Sequence, residues 1–447
     1  MTAVRKILYR LYRLGSSARF RAQRRLTRPG LAVLGGVFAA GLVGLDITQS
    51  LAYQVFLVLL SLLLAAWASC WFYRARFTAE RLLPCFGTVG SPLHYRVTLR
   101  NATRVPQNGL VVLENLADPR PSFDEFIAIH RAEERRMRSF SVAKRKKRLG
   151  FELVRVSEAP VPPLLPGQEA EVRLQLTPLR RGHVRFTGLT VARPDPLGLV
   201  KAFAKFPLPQ SVLVLPRRYP LPPIALPGTM KYQQGGVAMA SSVGESEEFV
   251  SLRDYRQGDP LRHIHWRSWA RVGKPVVKEF QDEFFVRHAL ILDTFTDHPN
   301  SEVFEEAVSV AASFACTILT QESLLDLLFV GPEAYCFTSG RGLAHTEQIL
   351  EILASVRVCR GQGFQALENL VIDHVSLVSG CVVVLLDWDA RRRSFIERLK
   401  MLGLPVLVLV VTEAGAKESF EAGPMQDQPQ QFHVLEAGAI EEGLARL

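Results

Sequence analysis

The chain has 447 residues and a formal net charge of +11 at pH 7, and its length allows two or three domains. Nine of the positive charges fall in residues 1–30, which contain no Asp or Glu, so the other 417 residues sum to only +2. The basic character therefore suits an anionic membrane surface and argues against nucleic acid as a partner. The six cysteines form no C-x-x-C pair, which favours a reducing compartment over a zinc ribbon or a disulfide framework.

Two apolar runs near the N-terminus, Leu31–Leu45 and Leu51–Tyr73, are separated only by Asp46–Ser50. A membrane-spanning helix needs about 20 apolar residues, so the second run is long enough and the first needs flanking residues to reach that length. The pair predicts a transmembrane helical hairpin. Arginines flank it on both sides, and because basic flanks stay in the cytosol, both ends are expected inside. Two alternatives remain: a cleaved signal peptide, and a first run that is a buried helix of a soluble domain.

Alternation of apolar and polar side chains is typical of the region that follows. It appears in Leu93–Leu99, Val172–Leu176 and Val184–Val191, which are separated by stretches containing Pro and Gly. This pattern predicts an antiparallel β-sandwich in which each sheet has one solvated face. The charged stretch Arg131–Arg148 interrupts it and is interpreted as a solvated loop or an irregular helix. Its Lys144–Arg148 run is a candidate for lipid contact ahead of DNA.

From His288 onward, short apolar segments alternate with helix-like ones. The predicted strands are Ala289–Leu292, Leu324–Val330, Cys381–Leu386 and Pro405–Val411. The predicted helices are Glu302–Leu319, His345–Val356, Phe364–Leu377 and Arg391–Leu402. Continuous apolar strands between helices indicate a mainly parallel sheet that is covered on both faces. Ligands bind beyond the carboxyl ends of such strands, where this sequence places Asp293, Asp387, Asp389, Thr412 and Glu413.

Residues 244–283 form the most polar stretch of the chain, in which aromatic residues stand between arginines and carboxylates. This composition predicts a fixed network of ion pairs and stacked rings. The order Glu-Phe-x3-Arg-x-Tyr-x2-Gly-Asp-x2-Arg-x-Ile-His-Trp-x3-Ala-Arg, from Glu248 to Arg271, resembles the signature of the bacterial domain-of-unknown-function family 58. Upstream, Arg180–Gly182 and Asp195–Leu199 resemble other markers of that family.

The resemblance implies a multidomain protein that begins with an N-terminal transmembrane helical hairpin. An antiparallel β-sandwich domain and a C-terminal α/β domain of the von Willebrand A-like type, with a Rossmann-like, mainly parallel sheet, would follow. It also implies a link to MoxR-type AAA+ ATPases. The expected divisions are a basic cytoplasmic arm (1–30), the hairpin (31–73), the sandwich (74–215), a linker or mobile loop (216–243), the signature segment (244–283) and the α/β domain (284–447).

The signature segment is the predicted interaction site. Its expected network consists of Glu248, Phe249, Arg253, Tyr255, Gly258, Asp259, Arg262, His265, Trp266, Arg271 and Glu279.

A degenerate metal site is expected after the first strand of the α/β domain. Domains of the von Willebrand A type often hold Mg²⁺ through an Asp-x-Ser-x-Ser loop, which here reads Asp293, Phe295 and Asp297, and Phe295 offers no oxygen. The candidate ligands for Mg²⁺ or Ca²⁺ are Asp293, Thr296, Asp297 and Asp387. Alternatively, Asp293 caps a helix or binds backbone amides at the strand end. No other cofactor is expected.

A second arrangement of polar residues, His263 and His265 beside Asp259, suggests a metal-dependent hydrolase. Such a site needs a third ligand that the sequence does not mark, and the chain has no P-loop, G-x-S-x-G or H-E-x-x-H motif. The sequence predicts a non-enzymatic, membrane-tethered cytoplasmic interaction protein, and the family resemblance implies that it recruits a MoxR-type ATPase to other membrane or envelope proteins. The hydrolase and a metal-dependent adhesion module using Asp293 and Asp387 remain the alternatives.

Overall fold

The computed structural model describes residues 2–43, 50–73, 76–118, 120–123, 126–127, 153–222, 249–257, 259, 261, 264–280, 287–296, 301–320, 324–339, 343–415 and 421–447. The chain divides into two compact units. One unit contains residues 1–217 and 298–300, and the other contains residues 218–297 and 301–447.

Three helices begin the first unit: α1 (Thr2–Arg25), α2 (Arg28–Val43) and α3 (Ser50–Ser69), the last continuing into a 3₁₀ turn (Cys70–Phe72). Among the described residues, only Leu51–Phe72 is long and apolar enough to cross a membrane, and α2 is a shorter apolar helix. The two lie side by side, since a methyl group added at Gly36 of α2 would lie 3.0 Å from Leu59 of α3. The predicted pair of apolar helices is therefore present, and one of the two reaches spanning length. Most of the predicted turn, residues 46–49, lies outside the described residues.

Helix α1 contains most of the predicted basic arm and contacts the segment after the sandwich strand β4 (Val111–Leu116). The Tyr9 hydroxyl donates a hydrogen bond to the Pro121 carbonyl at 3.1 Å. The ring of Tyr9 lies 5.4 Å from that of Phe123, and the ring of Tyr12 lies 5.4 Å from that of Phe126. One face of the arm thus packs against the sandwich.

The sandwich consists of a four-stranded sheet in the order β1-β3-β7-β5 and a five-stranded sheet in the order β2-β9-β8-β4-β6. Its other strands are β1 (Phe77–Leu82), β2 (Phe86–Thr88), β3 (Leu93–Asn101), β5 (Val154–Val156), β6 (Ala159–Pro160), β7 (Glu169–Pro178), β8 (Gly182–Pro194) and β9 (Lys201–Leu215). Along β3, Tyr95, Val97 and Leu99 are buried, whereas Arg96 is exposed. The predicted alternation is confirmed, and among the described strand pairs of the sandwich only β2–β9 is parallel.

The loop between β8 and β9 holds α2 against the sandwich. The Asp195 carboxylate accepts hydrogen bonds from the backbone amides of Leu199 (2.7 Å) and Val200 (2.6 Å) and fixes the loop. The Thr27 amide then donates to the Leu199 carbonyl at 3.1 Å. A methyl group at Gly30 would lie 2.0 Å from the same carbonyl oxygen, so this approach requires glycine. The Asp195–Leu199 segment, which resembles a family marker, therefore has a structural role in connecting α2 to the sandwich.

A buried ion pair, which the sequence did not predict, lies inside the sandwich. Arg81 donates from Nε to Oε1 of Glu114 at 3.1 Å and from Nη2 to Oε2 at 2.5 Å, and both side chains are fully buried. The Tyr95 hydroxyl donates to the same carboxylate at 3.0 Å. Burial raises the pKa of the Glu114 carboxyl, and the Arg81 guanidinium opposes that rise.

The second unit contains a six-stranded sheet in the order β14-β13-β12-β15-β16-β17 and a separate two-stranded sheet of β10 and β11. Its strands are β10 (Phe249–Asp254), β11 (Val276–Phe280), β12 (Arg287–Leu292), β13 (Leu324–Val330), β14 (Ala334–Ser339), β15 (Gly380–Leu385), β16 (Val406–Thr412) and β17 (Phe432–Glu436). Its helices are α4 (Trp266–Val272), α5 (Glu302–Thr320), α6 (Leu343–Ser355), α7 (Gln365–His374), α8 (Ala390–Met401) and α9 (Ile440–Leu444).

The large sheet is parallel except where β14 pairs antiparallel with β13. The buried strands β12, β15 and β16 read as continuous apolar runs because helices cover both faces. A β-rich unit and an α/β unit are thus confirmed. The strand order reverses between β12 and β15, and this switch point is where ligands bind in doubly wound sheets.

Candidate functional site

The signature segment is built on the two-stranded sheet. Strands β10 and β11 pair antiparallel, with Arg253 opposite Val277 and Asp254 opposite Val276. Helix α4 stands before β11, and the His265 amide at its start donates to the Val276 carbonyl at 2.8 Å. Ile264 is buried and bridges to Val277, so the loop and the helix are anchored to the sheet.

A bidentate ion pair fixes the turn after β10. Arg253 donates from Nη1 to Oδ2 of Asp259 at 2.7 Å and from Nη2 to Oδ1 at 2.8 Å. The backbone amide of Arg256 donates to the same carboxylate at 2.8 Å. The bonds from Arg253 and from this amide lower the pKa of Asp259 to about 2. Asp259 is therefore a permanent anion that holds the turn, which suits a structural role.

Helix α4 presents an exposed apolar and cationic surface, here named the Trp patch, which consists of Trp266, Trp269, Val272, Arg267 and Arg271. Trp266 and Trp269 stack with ring centroids 5.1 Å apart and an interplanar angle of 19°. Trp266 is 64% exposed and Val272 is 61% exposed. Arg267 and Arg271 are exposed beside them. Large exposed apolar side chains on a short, anchored helix make this surface a candidate for binding another molecule.

The remaining signature residues are only partly described. The Tyr255 amide donates to the Pro275 carbonyl at 3.0 Å. Phe249 pairs with Phe280, and Glu279 stands in β11 opposite Ser251. Glu248, Gly258, Arg262 and His263 lie outside the described residues.

The predicted hydrolase cluster is also incomplete in the described part of the chain. Nδ1 of His265 lies 2.7 Å from the Ser268 hydroxyl in its own helix, and Asp259 is paired with Arg253. His263 lies outside the described residues. The two described members are therefore engaged in holding local structure, and the hydrolase remains a prediction.

The switch point of the large sheet holds a second polar site, centred on Asp293 at the carboxyl end of β12. The Asp293 side chain is fully buried. Its Oδ1 accepts a hydrogen bond from the Phe295 amide at 2.9 Å, and its Oδ2 accepts one from the Leu386 amide at 3.1 Å. Burial raises the pKa of the Asp293 carboxyl, and Arg392 opposes that rise. The carboxylate therefore joins the ends of β12 and β15.

Arg392 of α8 supplies the positive charge that faces Asp293. Its Nε donates to Asp293 Oδ2 at 2.7 Å, and its Nη1 donates to Asp389 Oδ2 at 2.9 Å. Its Nη2 donates to the Phe295 carbonyl at 3.1 Å, and the guanidinium carbon lies 5.0 Å from the centroid of the Phe364 ring. Asp389 also caps α8 by accepting from the Arg392 amide at 2.9 Å. Each part of the guanidinium is thus fixed.

These contacts do not fit a divalent cation bound at Asp293, because a guanidinium lies where the cation would face the carboxylate. The described residues contain no group of three or more His, Cys, Asp or Glu side chains that could hold a metal ion. Asp387 accepts from the Trp388 amide at 2.7 Å, and Asp297 lies outside the described residues. The site predicted from Asp293, Thr296, Asp297 and Asp387 therefore stays a prediction, and the described geometry is the backbone-binding alternative.

Comparison with known proteins agrees with the signature. Residues 251–419 match the family model described as "Protein of unknown function DUF58". This segment of the chain is therefore similar to the DUF58 family. Over 184 residues the chain is 29% identical to the "Uncharacterized protein YeaD" of Bacillus subtilis (strain 168). That alignment covers 40% of this chain and 44% of the relative, so less than half of the relative's length is matched. The resemblance read from Glu248 to Arg271 is confirmed.

Solved structures give weaker similarities. A CARDB domain from Pyrococcus furiosus is 16% identical and covers 31% of this chain and 93% of its own, with a TM-score of 0.17. A PapD-like domain of human CEP192 is 11% identical and covers 32% of this chain and 86% of its own, with a TM-score of 0.18. TM-scores this low establish no shared fold.

The sequence did not reveal Arg392 as the partner of Asp293. The two residues stand 99 positions apart. An available signal was Asp389 at the start of a predicted helix, since an N-cap aspartate three residues before an arginine places both side chains at the same helix end. The fold then brings that helix end to the carboxyl end of β12.

Proposed function

We propose that this chain is a non-enzymatic interaction protein at the bacterial cytoplasmic (inner) membrane. It works with a MoxR-type AAA+ ATPase in the assembly or maturation of a membrane or envelope complex. The observation that carries the proposal is the Trp patch, which exposes tryptophan and arginine side chains on a helix anchored to a sheet. Tryptophan and arginine are enriched among the residues that dominate binding energy at protein interfaces.

The membrane tether is the first part of the proposal. The apolar segment Leu51–Phe72 supports one span, and α2 forms the second when it is extended by neighbouring residues. The basic residues before α2 and those after Tyr73 favour a two-pass topology with both termini and the folded units in the cytosol. The partner surface would then stand at the inner leaflet.

The α/β unit is proposed to be von Willebrand A-like. Support comes from the strand order, the antiparallel edge strand β14 and the position of Asp293 at the end of the first strand of the sheet. In this unit the Arg392 guanidinium provides the positive charge that faces Asp293 at the switch point, in place of a metal ion. Partner binding by the Trp patch would then be independent of chelators.

The chemistry of the Trp patch defines the surface that it fits. Trp266 and Val272 need an apolar pocket, and Arg267 and Arg271 need carboxylates at its rim. An aromatic anchor surrounded by charge-assisted hydrogen bonds gives both affinity and orientation. The chain has no P-loop, so the ATPase partner would supply nucleotide hydrolysis.

The test is crosslinking in native membranes, followed by purification of the full-length chain and identification of the bound ATPase. Trp266→Ala and Arg271→Ala should each reduce recovery of the ATPase by about tenfold, the effect expected of a residue worth over 1 kcal/mol. Met401→Ala is the matched control, because Met401 is an apolar side chain on a different helix and is 77% exposed. Melting temperatures of all three variants should equal that of the wild type.

Undiminished recovery of the ATPase with both Trp-patch variants would overturn the docking role. Loss of recovery only after chelation would favour the adhesion-module alternative at Asp293 and Asp387. Substrate turnover by the purified chain that is abolished in His265→Ala would overturn the non-enzymatic assignment and favour the hydrolase.

A further inference from the structure

A cavity of about 940 Å³ lies in the second unit, beside the carboxyl end of β13, and is bounded by β14, the end of α6 and the loop of residues 356–362. The loop is fixed to the sheet, since the Cys359 amide donates to the Thr294 carbonyl at 2.9 Å and the Cys359 thiol to the Gly331 carbonyl at 3.1 Å. Ligands bind at this end of the strands in α/β sheets, and the volume falls in the range of small-molecule sites.

One wall of the cavity is a cluster of three nearly parallel aromatic rings. The centroid of Phe329 lies 5.2 Å from that of Tyr335 and 6.1 Å from that of Phe337. The Tyr335 and Phe337 rings are 6.0 Å apart with an interplanar angle of 9°. Phe329 is buried, whereas Tyr335 and Phe337 are partly exposed toward the cavity that they line. Partly exposed aromatic rings of this kind suit a planar heterocycle.

The loop at the mouth of the cavity contributes two cations. Arg357 and Arg360 are exposed, and neither makes a hydrogen bond or ion pair with any residue that the structure describes. Glu351 is the acidic member of the lining, so the side chains around the cavity have a net positive charge. Gln362 donates to the Pro332 carbonyl at 2.8 Å and holds the loop against the opposite side. The mouth is therefore suited to an anion.

We propose that this cavity binds a nucleoside phosphate. The base would stack on Tyr335 and Phe337, and the phosphates would be bound by the guanidiniums of Arg357 and Arg360. Base–aromatic stacking and bidentate arginine–phosphate hydrogen bonds are the two interactions that such a ligand uses. One aromatic wall and one cationic mouth match one ring and one anionic group, which favours a nucleotide over an extended acidic peptide. The cavity is distant in sequence from the Trp patch. It therefore adds a small-molecule ligand to the protein partner of the proposed function.

The test is isothermal titration of the full-length protein in detergent with ADP, adenosine and pyrophosphate as separate probes. ADP should bind at least about tenfold more tightly than either fragment, because charge-assisted hydrogen bonds and stacking then act together. The double variant Arg357→Ala/Arg360→Ala should weaken ADP to the level of adenosine. Phe337→Leu should weaken it by about fivefold or more through lost stacking. Arg391→Ala, which removes an exposed arginine from α8, is the matched control and should leave the affinity unchanged.

Absence of ADP binding at millimolar concentration would overturn the proposal, as would equal affinities of the wild type and the double arginine variant. Pyrophosphate that binds as tightly as ADP would also overturn it, because the aromatic wall would then contribute nothing. Melting temperatures identify any variant that fails to fold. In that case the comparison of ADP with its two fragments on the wild type alone decides the outcome.

Discussion

Replacing Arg392 with alanine should strongly destabilise the second unit, because it leaves a buried carboxylate without its counter-charge. The Asp293 side chain is fully buried, and the hydrogen bonds described for it without Arg392 come from the amides of Phe295 and Leu386. Breaking a buried ion pair by removing one partner costs about 3 to 5 kcal/mol. Each kcal/mol lowers the melting temperature of a unit of this size by about 2 to 4 °C, which predicts a fall of about 6 to 20 °C.

The destabilisation should also depend on pH in a defined direction. Burial already raises the pKa of Asp293, and removing Arg392 raises it further above the value of the unfolded chain. A group whose pKa is raised by folding contributes stability below its unfolded pKa and loses that contribution as pH rises through its folded pKa. The difference in melting temperature between wild type and Arg392→Ala should therefore be larger at about pH 8 than at about pH 5.

Thermal unfolding of the full-length protein, followed by tryptophan fluorescence, measures both effects. Arg391→Ala is the matched control, since Arg391 is exposed on the same helix and its loss should change stability by no more than about 0.5 kcal/mol. A melting temperature of Arg392→Ala within about 1 °C of the wild type at both pH values would contradict the predicted role of the ion pair. A greater loss of stability in acid than at high pH would contradict the predicted pH dependence.

Three further predictions concern other parts of the chain. Glu114→Ala should cost about 3 to 5 kcal/mol by leaving Arg81 buried and unpaired, and denaturant unfolding that shows under 1 kcal/mol would contradict this. Gly30→Ala should lower the melting temperature because the added methyl group would clash with the Leu199 carbonyl. Gly35→Ala should not lower it, because a methyl group there has no atom within 4 Å. Equal melting temperatures of the two variants would refute the contact. Addition of Mg²⁺ or EDTA should leave the wild-type melting temperature unchanged, and a Mg²⁺-dependent rise would support the predicted metal site.

Side-chain periodicity made most of the fold readable from the sequence. The strand predicted at Leu324–Val330 has the same bounds in the structure, because a strand buried on both faces is a continuous apolar run. The strands at the two edges of the same sheet, β14 and β17, were not predicted. Their partly exposed residues mix apolar, polar and small side chains, so no period stands out. Edge strands are defined by their neighbours more than by their own pattern.

The polar sites were less accessible to sequence reasoning than the strands. The signature network contained both Arg253 and Asp259, which stand close in sequence on either side of a local turn, but it did not pair them with each other. The Asp293–Arg392 pair depends on the fold placing a helix end at a strand end, so no local pattern contains it. The phenylalanine at position 295 did indicate that the usual set of metal ligands is incomplete, but not that the Arg392 guanidinium lies against the Asp293 carboxylate.

The proposed function requires the folded units to lie in the cytosol, tethered to the membrane. Cys85 is an exposed thiol in the sandwich unit and allows a direct measurement. A membrane-impermeant maleimide applied to intact cells should leave Cys85 unlabelled, and the same reagent should label it after the inner membrane is opened, with Cys85→Ser as the control for the labelled band. Labelling of Cys85 in cells whose outer barrier is permeabilised but whose inner membrane is intact would place the sandwich outside the cytosol and contradict the proposed topology.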